Sequence, residues 1–267
     1  MTRAKVVVVT GATRGIGLGL ARELLARDAR VVMCGRSQES VDKAIAELGA
    51  GDRVTGIPAD VGRREDVQKL WDHAVATFGK VDIWVNNAGM SVPRRSLPEV
   101  PRDKVDAIVA ANMLGVFNGT AVPMAGMAQS GGSIWNMEGF GSSGQKAKDM
   151  AIYGATKRAV TYFTESMSKD VKDSNVRICF LSPGIVKTDL LVDDYEGREA
   201  DFEKAKKIFN ILGDHVETVT PFLAEGILKS TKNGDRVAWL TMPKAAGRFA
   251  GRFLLGRKRD LFADDGS

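Results

Sequence analysis

With only two histidines and two cysteines in 267 residues, the chain has little from which to build a metal centre. His73 and His215 stand apart from each other and from Cys34 and Cys179, without the close spacing that zinc sites use. Both cysteines fall in apolar, strand-like runs. This predicts two buried, reduced thiols and no disulfide framework, as in a cytoplasmic protein. A secretory leader is missing too: residues 1–5 pass straight into Val6-Val7-Val8-Val9, a short apolar region with no cleavage site. We therefore expect a cytoplasmic location. No apolar run approaches the ~20 residues of a membrane span. Linkers, repeats and low-complexity stretches are also absent, so residues 1–267 read as a single domain. The charge excess is small, +5, and much of it crowds the end as Lys244, Arg248, Arg252, Arg257, Lys258 and Arg259. That makes a basic tail over residues 243–267, not a stripe across the domain, and excludes nucleic acid as the expected partner.

What is present is a regular alternation. Residues 5–10 read as a buried strand, 15–27 as a helix, 30–34 as a strand and 40–48 as a helix. Strand 53–58, helix 64–78 and strand 81–85 follow, then helix 103–128, strand 133–137, helix 151–171 and strand 176–181. Residues 189–212 are polar and irregular and read as helical lid material over a substrate. Helix 217–229 and strand 236–241 close the pattern. Alternating strands and helices predict an α/β fold of Rossmann type, a doubly wound, mostly parallel sheet with helices on both faces.

The first strand ends in Thr10-Gly11-Ala12-Thr13-Arg14-Gly15-Ile16-Gly17 and a helix begins at once. Glycines between a strand and a helix let the backbone turn tightly and approach a pyrophosphate, which meets the helix N-terminus. Three glycines alone are a weak signal; strand before and helix after give it weight. At the end of the second strand, where an NAD site places an acidic residue, the chain has Arg36 and Ser37. With Arg14 in the loop, these suit a ribose 2′-phosphate, so NADP(H) is the expected cofactor in preference to NAD(H). Asp60 and Val61 follow the third strand, and Asn87, Ala88 and Gly89 the fourth, both at the carboxyl ends where open α/β sheets bind ligands.

Tyr153-Gly154-Ala155-Thr156-Lys157 puts a tyrosine and a lysine four apart on a helix, hence on one face. A tyrosine titrates near ~10 and is a poor base at neutral pH, but a close ammonium favours its phenolate. Such a pair can give a proton to a carbonyl or take one from an alcohol.

Taken together, TGATRGIG at 10–17, Asp60, NNAG at 86–89, Asn112, YGATK at 153–157 and Pro183-Gly184 through Thr188 resemble the classical short-chain dehydrogenase/reductase family over nearly the whole length. The resemblance implies Tyr153 as acid/base, with Lys157 binding the nicotinamide ribose and lowering the tyrosine's pKa. It gives Asn112 a water in the proton relay, and Pro183, Gly184, Ile185, Val186 and Thr188 the nicotinamide end of the cofactor. Homodimers or homotetramers are the implied assemblies. One position departs: the family's serine, about 13 residues before the tyrosine, falls on Glu138 or Gly139 here. Ser142 is the expected substitute, with Ser143 beside it. NMEGFGSSG at 136–144 is similar to the chlorophyll(ide) b reductase branch, which reduces a formyl group on a large tetrapyrrole.

The expected function is thus carbonyl/alcohol interconversion by hydride transfer, on a bulky apolar substrate. The alternatives are a non-catalytic NADP(H) sensor and a membrane-associated interaction protein. The tail, with Phe249, Phe253, Leu254 and Leu255 among its arginines, reads either as a segment packed on the domain or a neighbouring subunit, its arginines solvated, or as an amphipathic contact for an anionic membrane.

Overall fold

Four consecutive valines can be buried on both faces only inside a sheet that helices cover on each side. They lie there. The computed structural model describes residues 4–254 and 256–263. The first half runs β1 (Val6–Val9), α1 (Gly15–Leu25), β2 (Arg30–Gly35), α2 (Gln38–Leu48), β3 (Val54–Pro58), α3 (Arg64–Phe78) and β4 (Ile83–Asn86). After it come α4 (Arg102–Val109), α5 (Gly115–Gly126), β5 (Gly132–Met137), α6 (Ala151–Asp170) and β6 (Val176–Ser182). A short β7 (Val186–Lys187), α7 (Asp189–Asp193), α8 (Glu199–Leu212), a short β8 (Asp214–His215), α9 (Val216–Lys229), β9 (Arg236–Ala238) and α10 (Met242–Phe253) complete the chain.

Seven parallel strands form the main sheet in the order β3-β2-β1-β4-β5-β6-β9, and β7 and β8 make a separate parallel ladder. The order reverses between β1 and β4, which opens a crevice at their carboxyl ends. Strand alternation sends Val7 and Val9 into a core with Leu20, Leu24 and Leu223 on one face. Val6 and Val8 enter the other core, with Leu70, Phe78 and Val122. Each such side chain contributes about 1.5–3 kcal/mol of burial.

The expected helix over 103–128 differs in one respect. α4 and α5 are joined by a π-helical turn, Ala110–Leu114, so the helix carries a widened turn at Asn112. The stretch Arg102–Gly126 has the length and apolar composition of a membrane span. Here α5 instead packs on α3 and β4, with Val116, Thr120 and Val122 buried. The last strand stops at Ala238, short of the expected 241, because Thr241 caps α10 and Pro243 sits in its first turn.

The C-terminal stretch is not a free basic tail. α10 lies against α8, and Arg248 and Arg259 reach the buried Asp214 carboxylate at 2.7 and 2.6 Å. Their guanidiniums also cover the carbonyls of Leu212, Ile211 and Gly213, the open end of α8. The expectation of solvated arginines therefore fails for these two: a buried carboxylate and a helix C-terminus both need cations. Leu261 and Phe262 then enter a small apolar cluster with Tyr195 and Phe209. Leu255 lies outside the described residues.

Burial pushes the Asp214 carboxyl up, but hydrogen bonds from Trp239, Arg248 and Arg259 outweigh it and hold its pKa below the ordinary range. A depressed folded pKa adds stability above the unfolded value, lost as pH falls through the folded one. Asp214→Asn leaves Arg248 without its buried partner, and urea unfolding at pH 7 should show a loss of about 2–3 kcal/mol. The gap between wild type and variant should narrow below about pH 4.

Candidate active site

The crevice between β1 and β4 is built from backbone that no side chain could share. Gly11 and Gly15 sit at φ +61° and +56°, and a Cβ on Gly11 would come 2.7 Å from Ala88 Cα. A Cβ on Gly17 would lie 2.4 Å from the Gly11 oxygen. Asn87 staples this loop: its amide donates to the Thr10 and Gly11 carbonyls at 2.8 and 2.9 Å. Thr10 Oγ1 accepts the Asn87 and Ala88 N–H groups at 3.1 and 3.0 Å. Asn87 thus shapes the cradle with its side chain. α1 starts with no side-chain cap and no acid in its first turn, so its leading N–H groups and positive end suit a phosphate. The residues present fit a dinucleotide.

The other predicted cofactor residues surround that loop. Thr13 packs against Gly35, whose Cβ would lie 2.5 Å from Thr13 Cγ2. Ile16 packs on the core beneath the loop. Arg14 pairs with Asp189 at 3.1 Å, both largely exposed, a contact worth ~0–1 kcal/mol. Arg36 is exposed with no ion pair among the described residues, and Ser37 caps α2 by accepting from Ser40 N. Asp60 accepts the Gly62 N–H at 2.9 Å, and buried Val61 accepts from Asn118. Gly89 is exposed at the crevice. On the far side Pro183 is buried, Gly184 (φ +75°) packs on Leu240, and Ile185 accepts the Asp214 N–H at 3.0 Å. Val186 lies in β7, and Thr188 faces Gly15, its Cγ2 3.5 Å from where a Gly15 Cβ would be.

Tyr153 and Lys157 share one face of α6. Lys157 is buried; its Nζ donates to the Met137 carbonyl at 3.2 Å and lies 5.9 Å from the Tyr153 ring centroid. The π turn aims buried Asn112 at the same place. Its amide exchanges two 2.9 Å hydrogen bonds with the Met90 backbone and donates to Thr156 Oγ1 at 3.1 Å. Thr156 in turn donates to the Tyr153 carbonyl at 2.7 Å. A Cβ on Gly89 would be 3.2 Å from Asn112 Oδ1 and 3.7 Å from Lys157 Nζ. Glycine loop, Asn112 and the Tyr–Lys pair therefore converge.

The departing position resolves to Gly139. A Cβ there would stand 2.6 Å from the Tyr153 hydroxyl and 3.2 Å from Lys157 Cε. Glu138 is committed elsewhere, accepting from Arg236 Nη1 at 2.6 and 2.7 Å and from Thr161 at 3.2 Å. Ser142, the expected substitute, is buried and spends its hydroxyl on backbone. It accepts the Gly139 N–H at 3.1 Å and donates to the Lys157 carbonyl at 3.3 Å. In this arrangement Ser142 positions the loop. Ser143 is exposed.

The surroundings of the pair act on both groups. Burial raises the Tyr153 pKa above its ordinary value, and the Asp194 charge raises it further. Burial likewise lowers Lys157 to about 8, against the opposing pull of Glu138, so its charge is itself partly lost near neutrality. Asp194, buried and pushed up to about 6 by burial with Arg94 acting against it, was not legible as a site residue. One aspartate in an acidic, irregular segment carries no local signal. A cavity of about 230 Å³ ends on Tyr153, walled by Val92, Leu97, Val100, Met150 and Ile152, with Ser91, Arg95 and Asp149 at its polar edge.

The short chain dehydrogenase family profile matches residues 5–199. The chain is 36% identical over 258 residues to probable chlorophyll(ide) b reductase NYC1, chloroplastic, from Arabidopsis thaliana, covering 89% of this chain and 51% of that protein. To chlorophyll(ide) b reductase NOL, chloroplastic, from Arabidopsis thaliana, it is 34% identical over 279 residues, covering 99% of this chain and 78% of that one. It thus spans about half the length of the first relative. Among solved structures, 3-ketoacyl-(acyl-carrier-protein) reductase from Brucella melitensis complexed with NADH matches with TM-score 0.79 and 25% identity, over 89% of this chain and 97% of that one.

Gly139→Ala should separate fit from chemistry. Its Cβ meets the end of a rigid ring, so the phenol must move, and a misplaced proton donor costs rate. Turnover should fall about tenfold or more, while cofactor binding by fluorescence titration stays within twofold; unchanged turnover would contradict this placement.

Proposed function

The chain belongs to the short-chain dehydrogenase/reductase family, and on that premise we propose that it is an oxidoreductase that reduces an aldehyde or ketone on a large, mainly apolar molecule with NADPH. The observation that carries this reading is the Tyr153 phenol, half-buried at the end of an apolar-walled cavity, with its pKa raised by desolvation. Reduction needs a donor: a dihydronicotinamide held by the crevice residues would supply the hydride, and Tyr153 gives its proton to the carbonyl oxygen as the C=O becomes C–OH. A phenol whose pKa is raised stays protonated through neutral pH, which favours reduction over alcohol oxidation. Lys157 holds positive charge beneath it. Asn112 ties α6 to the Met90 backbone, so donor and loop keep register.

NADPH preference is supported by Arg36, exposed and unpaired at the end of β2 where no carboxylate stands. Arg14 adds a second guanidinium, since its exposed contact with Asp189 yields easily to a phosphate. A large substrate is supported by the similarity to NYC1 and NOL and by the cavity's open rim, where Leu97 is 63% exposed.

KM for NADPH should lie at least about tenfold below that for NADH, and Arg36→Asp should reverse the order. A lower KM for NADH in wild type would refute the preference. Tyr153→Phe should cost about 100-fold or more in kcat. Reductive kcat/KM should hold level from pH 6 to about 8, where Lys157 loses its charge, while the reverse oxidation rises with pH. A reductive rate that climbs with pH would exclude a protonated phenol as donor.

A further inference from the structure

A second cavity, of about 340 Å³, lies beside the first and has a different chemistry. Arg94, Lys148, Arg198 and Lys204 line it, with Tyr195 and Asp201. The two cavities share a wall that is one ion pair thick: Asp149 lines the first, Arg198 the second, and their side chains meet at 2.6 Å. Asp149 holds φ +61°, an uncommon left-handed backbone for a residue with a side chain, and the ion pair fixes it there.

The cations of this cavity are unequally spent. Arg198 is fully used: on Asp149, on Asp201 at 2.7 Å and on the Arg94 carbonyl at 3.1 Å. Lys204 touches Asp201 at 3.4 Å. Lys148 is exposed and has no carboxylate partner among the described residues; Arg94 is half-buried, makes no ion pair within 4 Å among them, and feels the charge of Asp194. Four cations thus face Asp149, Asp194 and Asp201, leaving one positive charge over. Arg94 lies flat on the Tyr195 ring, 4.3 Å from its centroid, so its fork is held in place before any ligand arrives. Only two buried side-chain polar atoms among the described residues lack a hydrogen-bond partner. One is Arg94 Nε, at this cavity; the other, Ser91 Oγ, stands beside the Asp194 carboxylate. Buried polar groups are normally paired, and Arg94 Nε is the one here that calls for a partner from outside.

We propose that this second cavity is an anion subsite that takes a carboxylate arm of the substrate, with Arg94 and Lys148 as its ligands. This rests on the reading that Tyr153 reduces a carbonyl in the adjoining cavity. It adds that the physiological substrate is an acid whose apolar body spans the Asp149–Arg198 partition. A planar guanidinium fixed by an aromatic ring, beside a mobile ammonium, matches a carboxylate in geometry and charge.

The test uses aldehydes paired as acid and methyl ester: 4-formylphenylacetate, -propanoate and -butanoate, each against its ester, with NADPH. The best-fitting acid should exceed its ester about tenfold in kcat/KM at low salt, and the preference should shrink as salt rises. In Lys148→Glu and in Arg94→Gln the acid-to-ester ratio should fall to about one. A ratio near one in wild type at every length, or a ratio that survives Lys148→Glu, overturns the subsite. If no aldehyde of either kind is reduced, the catalytic reading fails by itself. The subsite is then read by calorimetry with 4-ethylphenylbutanoate, which has the acid and no carbonyl. Binding that is lost in Lys148→Glu supports the subsite, and no binding to wild type refutes it.

Discussion

Keeping an ammonium charged inside the protein is the constraint on which the rest of this site depends. Lys157 is 5% exposed, and burial of a lone charge costs enough to drive the proton off. Two neighbours resist that. The Met137 carbonyl accepts its hydrogen bond, and the adjacent Glu138 carboxylate pulls its pKa back upward. Arg236 and Thr161 bond the Glu138 carboxylate in turn. Arg236 stands on β9 and reaches over the Phe180 ring of β6, 4.2 Å from its centroid, to get there. The state of the Tyr–Lys pair therefore rests on the pairing of β5, β6 and β9, and not on α6 alone. The same strand end needs glycine next: Gly139 gives its side-chain space to the phenol.

What the sequence made legible shares a feature: its signals are local. Val6–Val9 is apolar on both faces, α3 has its stripe, and the glycine loop sits between a strand and a helix, so each could be read from a short window. The Tyr–Lys spacing fixed a shared helix face in the same way. What was missed depends on partners far apart in the chain. The two hydrogen-bond partners of Ser142, Gly139 N–H and Lys157 C=O, belong to a loop geometry that no spacing reveals. The tyrosine's surroundings went unread for a similar reason. A neighbouring lysine is visible in YxxxK, whereas burial and the carboxylate of Asp194, 41 positions on, are not. The C-terminal arginines looked solvated since Asp214 stands 34 and 45 residues before them.

These long-range contacts also fix the segment over residues 189–212. Phe262 stacks edge-on against Phe202 at 5.3 Å and lies beside Phe209, and both rings meet Tyr195. Tyr195 adjoins Asp194, whose charge acts on Tyr153. Asp214 fastens the other end, joining α10 to the β7–β8 ladder that carries the Ile185–Thr188 side of the crevice. The segment is thus packed at both ends. The packing has an electrostatic consequence as well. Asp194 acts on the phenol from within this segment, so the contacts of Phe262 and Tyr195, made far along the chain, help to set the charge around Tyr153.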